Sequence, residues 1–255
     1  ILMRGFTVAK NTSKSKYMTH SVEKKQKSFF ELADELREKM AFKEAAANYL
    51  NAIMLSRADA KAYYGLGLCC KHLGNNTKAI KYFDKATELD ENFYEAFFEL
   101  GVCHQLEGIA CGAIKNFVRA VQINPDSPEA ILQLGISHEL CEEYDMALMI
   151  YQKLIENSPE FLKAYEHKSS LLMKLDRYKE ASTVLNEMIK LNPEEKTAYA
   201  GIGICFDKLG KRADAQRYYR KFLSYDPISH QAQFVKTRLE KLKQIKKHKS
   251  PFSIV

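Results

Sequence analysis

The chain has 255 residues, 46% of them hydrophobic and 28% charged, with only 6 prolines, a balance that excludes an intrinsically disordered chain. No stretch approaches the roughly 18 consecutive apolar residues of a membrane-spanning helix, and the net charge is +7. Six cysteines without a paired spacing are no disulfide framework and fit a reducing compartment, so a cytoplasmic location is expected.

In chain order, residues 1–25 carry Arg4, Lys10, Lys14, Lys16, Lys24 and Lys25 against Glu23, a net +5. They are expected to form a flexible basic arm with an apolar opening, and the leading Ile1 to mark a processed or truncated start. From Gln26 two helical stripes follow, Phe29, Leu32, Ala33 and Leu36, then Phe42, Ala45, Tyr49, Ala52 and Leu55. The pair returns near residues 60, 94, 128, 162 and 196. In the second unit Tyr63, Leu66, Gly67 and Cys70 share one stripe, Gly74, Asn75 and Asn76 break it, and Ala79, Phe83, Ala86 and Leu89 make the next.

The alanine recurs at Ala45, Ala79, Ala113, Ala147, Ala181 and Ala215, always 34 residues apart. So regular a period predicts stacked helical hairpins. Ala33, Gly67, Gly101, Gly135, Ser169 and Gly203 also share one offset. Glycine costs a helix about 1 kcal/mol relative to alanine, so its recurrence implies that the two helices meet closely there. Prolines in links such as Asn124 to Pro128 and Asn192 to Glu195 end one unit and start the next. Residues 229–248 predict a capping helix with Ala232, Val235, Leu239 and Leu242 on its apolar side, and 249–255 an apolar-tipped tail. From Lys236 onward the charge is +6, so the two ends hold +11 and residues 26–235 hold −4. The basic character belongs to the tails, and no basic stripe follows the body.

This pattern resembles the tetratricopeptide repeat family, whose unit is a 34-residue helix-turn-helix. In the unit beginning at Pro128 the matching residues are Ile131, Leu134, Gly135, Tyr144, Ala147, Tyr151 and Pro159; from Lys196 they are Tyr199, Ile202, Gly203, Gly210, Ala215, Tyr219, Phe222 and Pro227. Arg57 and Glu91 replace the closing proline, and Lys168-Ser169 replaces Leu-Gly. The resemblance covers residues 26 to about 245. It implies an all-α fold, a right-handed superhelical solenoid of six repeats and a capping helix.

It also implies that certain first-helix offsets line a hollow face. These are Lys61, Tyr64, Leu68, Lys71 and His72 in the second unit, Glu95, Phe98, Val102, Gln105 and Leu106 in the third, and Glu129, Leu132, Ile136, Glu139 and Leu140 in the fourth. The apolar members form a patch of several hundred Å², which monomers seldom expose without use. A groove for an apolar peptide or amphipathic helix is expected here, rimmed by Glu95, Glu99 and Glu129 against Lys61 and Lys71. The competing reading buries these side chains between neighbouring repeats, and Phe98→Glu separates the two by its effect on stability. The family's clamp for the acidic tail of chaperones needs Lys, Asn and Arg, whereas the corresponding offsets hold Phe30, Asp34, Gly65, Glu95 and Glu99. Such tails are therefore not expected partners.

Cys69, Cys103 and Cys205 share an inward offset and are expected as buried thiols. Cys70, His104 and His138 share another, but helices about 10 Å apart cannot bring all three to one metal at about 2 Å. No nucleophile stands beside His72 or His167, and no phosphate loop is present. Neither catalysis nor a cofactor is expected. The sequence thus predicts a peptide- or protein-binding adaptor; the alternatives are a self-associating scaffold, or an adaptor whose basic tails meet anionic membrane or nucleic acid.

Overall fold

The turn inside each repeat decides where its first helix stops. Gly74, Gly108 and Gly210 take φ of 76°, 73° and 72°, and Met40, Glu142 and Asp176, at the same place in the other repeats, take 60°, 62° and 58°. The left-handed residue lets the following amide reach back five residues, so that the Asn75 N–H donates to the Cys70 carbonyl and the Glu143 N–H to that of His138, each at 2.9 Å. The last carbonyls of the helix are satisfied and the chain reverses. The second helices then start from a side-chain cap only where the sequence supplies one. Asn75 accepts from the Lys78 amide at 3.1 Å, while Ala41, Ile109 and Glu143 make no such bond.

The computed structural model describes residues 9–247, with the side chains of 23–243, and divides into units spanning 1–137 and 138–255. In the first unit α1 (Ala9–Glu38) pairs with α2 (Phe42–Leu55), α3 (Ala60–His72) with α4 (Asn76–Leu89), and α5 (Tyr94–Leu106) with α6 (Ala110–Ile123); α2 also packs on α3, and α4 on α5. Next is α7 (Pro128–Leu140), whose end passes into the second unit. There α8 (Tyr144–Asn157), α9 (Leu162–Lys174), α10 (Tyr178–Leu191), α11 (Lys196–Lys208), α12 (Arg212–Tyr225) and α13 (His230–Lys247) pack each on the next. Each unit is a helical-repeat stack of the solenoid type. The described residues form no strand.

One contact recurs inside the hairpins. Tyr49, Phe83, Phe117, Tyr151 and Tyr219 are almost wholly buried at one offset of the second helices. A Cβ on Gly67 would come within 2.5 Å of the Phe83 ring, and one on Gly203 within 2.5 Å of Tyr219. The glycines thus make room for rings, and the helix penalty they carry is offset by the aromatic burial. In the fifth repeat both partners change: Ser169 takes the glycine's place and Leu185 the ring's, and both are buried. The Ser169 hydroxyl donates to the Glu166 carbonyl at 3.0 Å, so the departure from Leu-Gly costs no unpaired polar group.

The ends differ from the sequence reading in one respect. α1 begins at Ala9, so residues 9–25 of the expected flexible arm are helix continuous with the first repeat. The stretch from Ala9 to Lys25 contains neither glycine nor proline, and nothing in it stops a helix that the repeat has already nucleated. Residues 1–8 and the tail expected at 249–255 lie outside the described residues. In α13, Ala232, Val235, Leu239 and Leu242 are buried against Tyr199, Tyr219 and Phe222. No helix among the described residues is long and apolar enough to cross a membrane.

Candidate functional site

The first helices of the first unit bring together α1, α3 and α5. One cleft is lined by Phe30, Asp34 and Arg37 of α1, Lys61, Tyr64, Gly65 and Leu68 of α3, and Phe93 and Glu95 at the start of α5. Gly65 is needed for its shape, because a Cβ there would strike the Tyr49 ring. The Tyr49 hydroxyl, rising beneath it, donates to Asp34 Oδ1 at 2.5 Å and accepts from Arg37 Nε at 3.1 Å. Arg37 Nη2 closes the triangle on Asp34 at 3.1 Å. Two opposite charges are thereby fixed into one wall.

Tyr64 forms the apolar floor, tilted against Phe83 at 5.7 Å and Phe93 at 5.0 Å between ring centres. Burial first, then the carboxylates Glu99 and Glu95, push its hydroxyl up to about 12, so it stays a neutral donor. Lys71 Nζ meets Glu99 Oε2 at 2.5 Å, with side chains 27% and 19% exposed. This pair bridges α3 and α5, which corrects the expected rim: Lys71 and Glu99 neutralise each other. Lys61, Glu95 and Glu129 are the exposed charges that remain.

Further along, the expected groove residues divide. Tyr64, Leu68, Phe98, Val102 and Ile136 are half-buried, Leu106 and Leu140 are exposed, and Leu132 is buried at 4%. Leu132 is buried along with Ala130 and Gly135 of α7, so it offers no open surface to a ligand. Phe98 leans edge-on against Phe117 at 5.6 Å and near Tyr94 at 6.0 Å. It therefore holds its own hairpin together as well as facing outward, and Phe98→Glu cannot separate binding from stability. Gln105 Nε2 donates to the Gln133 carbonyl at 3.2 Å and to Ser137 Oγ at 2.9 Å, tying α5 to α7. Leu140 lies past the boundary of the unit that holds the others.

Phe30, Arg37 and Phe93 were missing from the sequence-based list. The period could have found the first two, since Phe30 and Arg37 stand 34 residues before Tyr64 and Lys71. Phe93 sits in a link whose counterparts are Asp59, Ser127, Phe161 and Glu195, so no periodic signal marks it. The other polar candidates have local partners. Asn116 Nδ2 donates to His104 Nδ1 at 3.0 Å, His138 Nδ1 pairs with Glu143 at 2.6 Å, and His72 stacks on Phe42 at 4.4 Å. Burial pushes the thiols of Cys69, Cys103 and Cys205 up to about 11.

Residues 60–93 match the model of the tetratricopeptide repeat, and residues 129–248 match that of the coatomer epsilon subunit. No curated protein matches the chain. The C-terminal part of a TPR repeat-containing protein from Cytophaga hutchinsonii is 15% identical, with TM-score 0.72 over 88% of this chain and 94% of that one. PilF of Pseudomonas aeruginosa is 14% identical, with TM-score 0.64 over 86% of this chain and 99% of its own. YrrB, described as a TPR protein with an unusual peptide-binding site, is 20% identical, with TM-score 0.60 over 74% and 97%. At these identities the likeness is one of fold.

Proposed function

We propose that the chain, whose repeats are of the tetratricopeptide type, is a peptide-binding adaptor whose receiving surface is the first-helix face of the first unit. The observation that carries this reading is the cleft between α1, α3 and α5, where an aromatic and aliphatic floor is flanked by exposed Lys61 and Glu95. Repeat proteins of this type serve in general as protein-interaction scaffolds. The expected ligand is a segment with alternating apolar side chains. Each fully buried side chain would contribute about 1.5–3 kcal/mol before the cost of association.

Half-burial suits such a role. Tyr64 and Leu68 are packed on one side against the core of the first unit and so lose little conformational freedom on binding. The tied charges Asp34, Arg37, Lys71 and Glu99 hold the walls still. Buried thiols fit a reducing compartment, which supports a cytoplasmic location.

Selection from a displayed peptide library on the full chain tests this. Enriched peptides are expected to share apolar positions and to lose about tenfold in affinity on Leu68→Gln or Leu106→Lys, with the helical melt nearly unchanged for the exposed Leu106. Binding indifferent to both substitutions would remove the proposed surface. Concentration-dependent sedimentation abolished by Leu106→Lys would instead assign the face to a second copy of the chain.

A further inference from the structure

In the second unit, cations of a different helix gather on a surface that the first-helix face does not include. Tyr199, Arg217, Tyr218, Arg220, Lys221 and Ser224 line a shallow cleft of α11 and α12 that holds three cations and no carboxylate. Lys221 Nζ lies 4.8 Å from the centre of the Tyr225 ring and 5.9 Å from that of Tyr199, and the Arg217 guanidinium lies 5.0 Å over Tyr218. The hydroxyls of Tyr199 and Tyr225 both donate to the Pro193 carbonyl, at 2.8 and 3.3 Å, which fixes the rings beneath the cations. Ring faces attract cations through their quadrupole yet carry no net charge, so the positive charge is not neutralised. The ion pair of Arg217 with Asp214 is long, 3.6 Å, and exposed at both ends, a geometry worth little.

The third repeat supplies an internal comparison. Three periods earlier, Phe97, Lys115 and Arg119 hold the places of Tyr199, Arg217 and Lys221, and Arg119 again lies 5.9 Å over the ring. That cleft, however, is lined by Glu91, with Asn116 and Val118 where the sixth repeat has Tyr218 and Arg220. In the fifth repeat Glu187 stands at the place of Lys221. The cation over a ring recurs in the third and sixth repeats; of their two clefts, only that of the sixth repeat is lined by no acidic residue.

The rings also say what the ligand is not. Tyr199 stacks with Tyr225 at 5.5 Å and Tyr218 with Phe206 at 5.5 Å, and each of Tyr199 and Tyr218 has a cation beside it as well. Bases of single-stranded nucleic acid need open ring faces, whereas carboxylates need only the guanidinium and ammonium groups. We propose that the α11–α12 cleft is a second binding site, for an acidic peptide segment, distinct from the first-helix face.

Anisotropy of a dye-labelled oligo-glutamate peptide, titrated with the full chain at low salt, tests it. Arg217→Glu/Lys221→Glu is expected to weaken binding about tenfold. Lys115→Glu/Arg119→Glu, the same change of net charge in the third-repeat cleft, is expected to weaken it less than about twofold. Should the reversal disturb the helical melt, Arg217→Gln/Lys221→Gln is expected to give about threefold. Equal losses from the two pairs, an undetectable affinity of the wild-type chain, or displacement of the peptide by an oligothymidylate strand at matched concentration would overturn the proposal.

Discussion

Arg238 on α13 grips Asp207 on α11 through two hydrogen bonds, Nη2 to Oδ1 at 2.8 Å and Nε to Oδ2. The Asp207 side chain is only 9% exposed and accepts a third, longer bond from the Tyr219 hydroxyl at 3.4 Å. The capping helix is thus held by an ion pair at one edge of its apolar stripe. Arg238→Ala strands a nearly buried carboxylate, and a loss of about 1–3 kcal/mol is expected, discounted for the partly exposed arginine. Amide hydrogen exchange should accelerate along α13 while α3 keeps its protection; unchanged protection of α13 would show that the apolar stripe alone holds the cap.

The six intra-repeat turns make a second prediction. Glu142 carries a side chain at a left-handed φ of 62° where three other repeats place glycine. That conformation costs an L-residue about 1–2 kcal/mol, partly offset by the entropy that glycine adds to the unfolded chain. Glu142→Gly is therefore expected to stabilise by about 0.5–1 kcal/mol, and Gly74→Ala to destabilise by a similar amount. Thermal melts of the two variants should move in opposite directions.

Ser169 and Leu185 predict how the hairpin contact can be exchanged. Gly67→Ser alone forces a Cβ into the Phe83 ring and is expected to cost about 1–3 kcal/mol. Combined with Phe83→Leu it reproduces the pair of the fifth repeat, so the double variant should be more stable than the sum of the single changes implies. A strictly additive double-mutant cycle would mean that the two positions do not couple.

These pairs also explain how far the sequence could be read. The 34-residue spacing of Ala45, Ala79 and their successors locates the second helices from α2 to α12, because one offset must stay small in every hairpin. The apolar stripe through Ala232 and Leu242 likewise marks the cap. The candidate site was only partly legible. Tyr64 and Leu68 follow the period, but whether a half-apolar first helix is open or sealed depends on rotamers and on neighbours such as Phe93 and Phe117. Periodicity says nothing of those. It also could not show that Leu132 is buried, or that Lys71 spends its charge on Glu99 and not on a ligand.

Buried thiols set an alkaline limit. Cys69, Cys103 and Cys205 are raised from 9.0 to about 11 by burial, and Tyr64 from 10.0 to about 12. The folded state holds these protons more tightly than the unfolded state, so their contribution is complete below pH about 9 and is lost as pH climbs through about 11 to 12. Melting temperature should be flat near neutrality and fall above pH about 9. At pH about 8 an alkylating reagent should label exposed Cys111 well before the three buried thiols.

Amide chemical-shift mapping of a library-selected peptide on the isotopically labelled chain tests the proposed binding face most directly. Shifts are expected to concentrate on α1, α3 and α5 around Phe30, Leu68 and Val102, leaving the outward faces of α4 and α6 unmoved. Shifts confined to those second helices, or to α11 through α13, with none at Leu68 or Val102, would contradict it.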